Sequence, residues 1–287
     1  MPSSEVRLLI VDGHIHIAAE RDEDGRPTLD AETLLRLMDG PFLINGERRV
    51  VDKALVQPMI LPTRRGDPMD HHAYVAEQVH RHPDRLIGCF VFNPVLDLDR
   101  SLEVLHQLVE SGGFRAIKLH PTVHAYVPFR TRAALDPLLR EAAELEVPVL
   151  VHQGDPPFAY PSQMAPLIEA HSRTCFILAH FGTQRIVLAD EAIYVARMNA
   201  NVRLETSWGA LPRIKEGISA IGTDRIIFGS DCPIQEIGSQ LRVIEVLGWE
   251  APMGIGLAPQ EVECILGDNL LRLLGPTAGE RSAGVGS

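Results

Sequence analysis

Short apolar runs rich in β-branched residues alternate with amphipathic segments along the whole chain. The runs fall at 7–11, 53–57, 86–92, 116–119, 148–151, 175–179, 202–205 and 225–228. Several are apolar at nearly every position, as parallel strands covered on both faces require, rather than alternating as half-exposed antiparallel strands do. Between them, apolar residues recur at three- and four-residue intervals and predict helices over 29–38, 70–82, 99–111, 131–145, 162–171 and 211–221. Gly112, Gly113 and Gly222 stand where helix C-caps favour glycine. Helical stretches at 239–247 and 259–274 follow the last run. Eight strand–helix repeats predict an α/β fold, a closed (β/α)8 TIM barrel with extra C-terminal helices. An open doubly wound sheet is the competing arrangement. Its glycine-rich phosphate loop is missing after the first strand, where histidine stands instead.

Length and composition fit one such barrel, which reaches about 250 residues on its own. The expected single domain is 5–275 of 287 residues, followed by a disordered Gly/Ser/Ala-rich tail at 276–287. The acidic segment 20–25 reads as an exposed, mobile loop. A net charge of −11 argues against a nucleic-acid partner, because phosphate binding needs a basic surface. Otherwise the acidity is a solvated surface. Cys89, Cys175, Cys232 and Cys264 are scattered without a CxxC pair, so a disulfide framework is not expected and a reducing cytoplasm fits. The N-terminus lacks the charged-then-apolar pattern of a signal peptide, and no apolar stretch is long enough to span a bilayer. A soluble cytoplasmic protein with no membrane partner is the expectation.

In a barrel of this kind, residues at the C-terminal strand ends face the active site. Strand one runs into Asp12-Gly13-His14-Ile15-His16, and strand four ends at Lys118-Leu119-His120-Pro121. Strands five, six and eight end at His152, His180 and Asp231. Along extended backbone, residues two apart point to one side, so His14 and His16 can reach one metal ion. With His152 and Asp231 added, the set is three imidazoles and a carboxylate, which suits Zn, Mn, Fe or Ni and leaves a position for water. Each residue has a plainer reading. A strand-end histidine can cap carbonyls, Asp231 can form a turn or N-cap, and Lys118 can snorkel. A lysine pointing into a barrel mouth is nonetheless costly unless paired.

These segments, with Leu178-Ala179-His180, Phe228-Gly229-Ser230-Asp231-Cys232-Pro233 and the closing Gly267-Asp268-Asn269-Leu270-Leu271, resemble the amidohydrolase superfamily. They are most similar to its amidohydrolase-related branch, which holds aminocarboxymuconate-semialdehyde decarboxylase and assorted hydrolases. The resemblance runs from about residue 8 to 274. It implies that His14, His16, His152 and Asp231 bind a divalent metal, zinc in the first instance with manganese as an alternative, and that His180 lies beside the metal-bound water or substrate. It also implies two roles for the strand-four segment. Lys118 can bridge two metals as a carboxylated lysine, or Lys118 and His120 can hold substrate beside one metal, the favoured arrangement. Homodimers are common among such relatives, so a homodimer is a candidate state.

The expected chemistry is hydrolysis of an amide, lactam or lactone in a small organic metabolite. The metal would bring bound water near pKa ~7, with Asp231 moving its proton and His180 orienting it or stabilising an oxyanion. The branch includes decarboxylases with Glu-x-His, so His-x-His tilts the reading toward hydrolysis, with decarboxylation as the alternative and a non-catalytic binding barrel as a remote one. Arg64 and Arg65 are candidates to grip a substrate carboxylate, or else a solvated pair. His124, Tyr126, Phe158, Tyr160, Ser207 and Trp208 could line a pocket for a small ring, or equally pack their loops.

Overall fold

The computed structural model describes residues 9–19, 28–59, 66–183 and 185–275. The acidic 20–25 segment, Arg64 and Arg65, and the 276–287 tail lie outside the described residues. Eight strands pair in chain order, all parallel: β1 (Val11–Ile17), β2 (Lys53–Pro58), β3 (Leu86–Phe92), β4 (Phe114–Leu119), β5 (Val149–Val151), β6 (Phe176–Leu178), β7 (Val202–Glu205) and β8 (Ile226–Ile227). Backbone bonds beyond β8 close the ring onto β1: Gly13 N to Phe228 O at 3.0 Å, Asp231 N to His14 O at 2.8 Å, and His16 N to Cys232 O at 2.8 Å. The fold is a (β/α)8 TIM barrel, as the alternation predicts.

The seam between first and last strands is where the chain is most constrained. A Cβ on Gly13 would stand 2.9 Å from Phe228 O and 3.1 Å from the Leu270 side chain, so glycine is what lets β1 come this close. Beside it, buried Asp12 Oδ1 accepts from His14 N at 3.0 Å and from Ser230 N at 2.9 Å, tying both sides of the seam together. Inside the barrel Val11, Leu55, Ile87, Ala116, Leu150 and Ile177 form one apolar layer, closed off by Leu270 and Leu274 of the last helix.

Helices α1 (Ala31–Asp39), α2 (Pro68–Arg81), α3 (Leu98–Glu110), α4 (Arg132–Glu144), α5 (Pro161–Ala170), α6 (Ile186–Met198), α7 (Leu211–Ile221) and α8 (Ile237–Leu247) fill the intervals. Aspartates cap the first three, Asp30 on Thr33 N, Asp67 on Met69 N and Asp97 on Arg100 N. Three features differ from the sequence expectation. β1 begins at Val11 and contains His14 and His16, rather than ending ahead of them, because its pairing with β2 continues through His16 and Gln57 to Ile17 and Pro58. Helix α6 has no counterpart among the predicted helices. It carries Ile186, Val187, Tyr194 and Met198 exposed opposite buried Leu188, Ala192 and Val195, and apolar residues on both faces blur the helical period. A small hairpin, Phe42–Ile44 with Glu47–Arg49, turns at Asn45 and Gly46, both with positive φ, a pair that favours such turns. The four cysteines are free, and among the described residues no helix is long and apolar enough to cross a membrane.

One buried histidine ties α2 to β3. His72 Nδ1 lies 2.6 Å from Pro68 O, and its Nε2 accepts from Val91 N at 2.8 Å. Burial lowers its pKa from 6.5 to about 4. Between those values the unfolded chain binds a proton at this position and the folded chain does not, so stability is full above pH 6.5 and falls as pH drops toward 4. The contribution approaches roughly 3 kcal/mol. Urea unfolding at pH 7 and pH 4.5 should show a smaller loss for His72→Gln than for the unsubstituted chain, and equal losses would refute this.

Candidate active site

The strand ends deliver a cluster of imidazoles and carboxylates to one mouth of the barrel. His14 and His16 do point to one side of β1. Their Nε2 atoms lie 3.3 Å and 3.1 Å from the same oxygen, Oδ1 of Asp231. The ligand atoms of these three residues all fall within 4.8 Å of one another. Asp231 sits just past β8 with φ of 62°, the left-handed region that few non-glycine residues adopt. Its second oxygen, Oδ2, accepts from Trp208 Nε1 at 2.7 Å.

A second carboxylate organises the cluster from behind. Glu205, the last residue of β7, is fully buried. Its Oε2 lies 3.1 Å from His14 Nδ1 and accepts from His180 N at 3.1 Å and Ser207 Oγ at 2.8 Å, while Oε1 accepts from Ser207 N. With its Nδ1 hydrogen given to Glu205, His14 presents a lone pair at Nε2, the tautomer that a metal needs. Lys118 Nζ lies 2.9 Å from that Nε2 and is itself fully buried. Glu205 is not among the residues that the sequence points to, although it ends a strand as the others do.

His152 and His180 are placed differently from His14 and His16. His180 Nδ1 lies 2.8 Å from Ser207 Oγ, and its Nε2 lies 2.9 Å from His152 Nδ1. His152 Nε2 in turn lies 2.7 Å from Asp155 Oδ2. Both ring nitrogens of His152 are therefore engaged outside the His14–His16–Asp231 triad, and its ring stacks on His120 with centroids 3.8 Å apart. The result is a polar chain running Glu205, Ser207, His180, His152, Asp155, with four links between its five members. A hydroxyl and two neutral imidazoles supply three hydrogens, so the fourth link is bridged only when a proton is added. Asp155, half-exposed in its side chain, ends the chain toward solvent.

Burial sets the charge states. It lowers His14 to about 4, with Lys118 acting in the same direction, and lowers His120, His152 and His180 as well. Burial also brings Lys118 down to about 8. It pushes Asp231 up, but His14, His16 and His180 around it outweigh that and hold its carboxyl far below the usual range. A neutral His14 imidazole beside the ionised Asp231 carboxylate, with His16 Nε2 facing the same oxygen, is a donor set that Zn or Mn accepts. The residues fit a divalent ion.

Above the cluster opens a cavity of about 520 Å³, with His16, Lys118, His120, His152, His180 and Asp231 as its polar lining. Met59, Val123, Trp208 and Ile234 give it apolar walls, and Asp155 and Arg185 also line it. Of the loop residues proposed for a pocket, Trp208 lines the cavity. His124, Tyr126, Phe158 and Tyr160 do not, among the described residues, and Tyr126 belongs to the hydrophobic core.

The amidohydrolase family profile matches residues 11–275. The chain belongs to the amidohydrolase family. Among curated proteins none matches it by sequence. Solved structures similar to this amidohydrolase include 2,6-dihydroxybenzoate decarboxylase from Rhizobium, 18% identical with a TM-score of 0.66, covering 93% of this chain and 98% of the other. Another is 5-carboxyvanillate decarboxylase from Novosphingobium aromaticivorans, complexed with manganese and 4-hydroxy-3-methoxy-5-nitrobenzoic acid. It is 14% identical with a TM-score of 0.69, covering 95% and 97%. A candidate 2-pyrone-4,6-dicarboxylic acid hydrolase from Pseudomonas putida is 16% identical with a TM-score of 0.66, covering 94% and 98%. At these identities the likeness is one of fold.

Replacing Glu205 in this amidohydrolase by alanine strands four buried donors at once. The expected cost is roughly 3–5 kcal/mol in urea unfolding, since a buried hub is removed and its partners stay unpaired. A cost under about 1 kcal/mol, the worth of one ordinary hydrogen bond, would contradict the hub role.

Proposed function

We propose that this amidohydrolase catalyses the metal-dependent, non-oxidative decarboxylation of a small planar carboxylic acid, with one divalent ion held by His14, His16 and Asp231. The observation that carries this reading is the lining of the cavity: Lys118 and Arg185 stand on its wall, and a polar chain leads from His180 through His152 to the half-exposed Asp155. Decarboxylation asks for a grip on the carboxylate and a proton for the carbon that loses it. Lys118 and Arg185 on the cavity wall provide the grip. The chain from Asp155 through His152 to His180 provides the proton.

Met59, Val123, Trp208 and Ile234 hold the flat body of the acid and keep water from the reacting carbon. The bond from that carbon to the carboxyl breaks, CO2 leaves, and the bonding electron pair stays on the carbon. The His180–His152 pair, once it carries the added proton that bridges the fourth link, donates that proton to the carbon, and Asp155 admits the next one from solvent. When bound, the ion supplies a Lewis acid that anchors substrate oxygen and draws electron density away from the reacting carbon. Zinc and manganese both suit the donors. The manganese and nitrobenzoate of the carboxyvanillate decarboxylase support both the ion and the class of acid.

Hydrolysis of a lactone or amide is the second reading. The two histidines and Asp231 form the kind of set that activates water in hydrolytic sites, and the Pseudomonas putida structure bears a hydrolase designation. Reaction in 18O-water with hydroxybenzoic acids and pyrone carboxylic acids separates the two. We expect one CO2 per substrate, no 18O in the product, and abolished turnover on chelation that Zn or Mn restores. Incorporation of 18O without CO2 would replace this reading by hydrolysis. Lys118→Met should lower kcat/KM by about 100-fold, the effect of removing one charged hydrogen-bond donor from a dry site.

A further inference from the structure

Trp208 lines the cavity, where a ring would be expected to stack on substrate. Its polar edge does something else. The indole N–H meets Asp231 Oδ2 at 2.7 Å, while Oδ1 of the same carboxylate faces His16 Nε2 at 3.1 Å and His14 Nε2 at 3.3 Å. A carboxylate turns through a broad terminal torsion, so nothing intrinsic to aspartate assigns its oxygens to different neighbours. Trp208 makes that assignment.

The backbone is arranged for this hydrogen bond. Trp208 has φ of 60° and Asp231 φ of 62°, so two non-glycine residues in left-handed conformation meet across the mouth through one side-chain link. Such conformations persist where the surroundings over-determine them. Both residues are held in this way. Gly209 N bonds to Thr206 O at 3.0 Å, closing the turn that carries Trp208, and Ser207 within that turn is held to Glu205. On the other side, Asp231 N bonds to His14 O at 2.8 Å, which fixes the start of the Asp231 side chain.

We infer that Trp208 is a positioning residue for the cation site: it holds Asp231 so that a single oxygen faces the two histidines. The inference rests on the reading that His14, His16 and Asp231 hold a divalent ion. A partner that orients a ligand in this way affects the ion's affinity directly, whatever the substrate.

The test uses Mn2+ or Zn2+ alone. Trp208 is replaced by benzothienylalanine, which keeps the shape of indole and removes its N–H, and in parallel by phenylalanine. Competition with a chromophoric chelator should show metal binding weakened roughly 10–100-fold in both. A third protein, Trp249→Phe, keeps the hydrogen bond and leaves Trp208 as the only indole of the two tryptophans in the chain. Its fluorescence should change on titration with Zn2+, with a midpoint matching the chelator assay. If the unsubstituted chain binds neither ion, the ligand reading itself fails. If it binds, but the isostere binds equally well or Trp208 emission is unmoved, the positioning role is overturned and the ligand reading stands.

Discussion

The mouth of this barrel depends on one buried carboxylate. Glu205 has no exposed surface, so its charge is tolerable only if donors surround it. They come from three strands: the His14 ring from β1, the backbone N–H of His180 just past β6, and the backbone and hydroxyl of Ser207 just past β7. β8 makes room by carrying Gly229 beyond its end, where a Cβ would stand 2.4 Å from Glu205 Oε1. A single group thereby sets the tautomer of His14, steadies the left-handed turn at His180 and places Ser207 in the polar chain that leads to Asp155.

Burial has a second effect on the same site. It strips His14 of charge and, with Nδ1 turned to Glu205, leaves a lone pair at Nε2, while Asp231 stays ionised among the histidines. Near the cluster, the lysine ammonium is the cation already built in, and it faces the His14 lone pair that an ion would use. A dication seated beside these groups would turn the cavity positive, which favours anionic substrates over neutral ones. The acidic surface of the protein, with a net charge of −11, does not predict this local sign.

Much of the fold is legible in the sequence because parallel strands buried on both faces leave apolar runs that little else imitates. β3 and β7 stand where the runs place them, Leu86–Phe92 and Val202–Glu205. α6 is illegible for the complementary reason: exposed apolar residues erase the contrast on which helical periodicity depends. Within the site, His14, His16 and Asp231 are legible from strand ends and the two-residue repeat. The separate placement of His152 is not, because its partners Asp155 and His180 come from loop geometry rather than strand register. Glu205 is hidden by its own run, in which a final acidic residue reads as the polar edge of an apolar segment. Likewise, Trp208 announces a ring for a pocket, but its N–H partner lies 23 residues away on the next strand's loop.

The seam that Gly13 allows has a consequence in time as well as in space. His16 and Asp231 stand on opposite sides of it, 215 residues apart in sequence. Long-range pairings of that kind cost the most chain entropy to close and form slowly. During synthesis the imidazoles of the first strand therefore wait, without their carboxylate partner, until nearly the whole barrel has emerged. The cluster completes in the same event that closes the cylinder, so a competent site and a closed fold are one state rather than two.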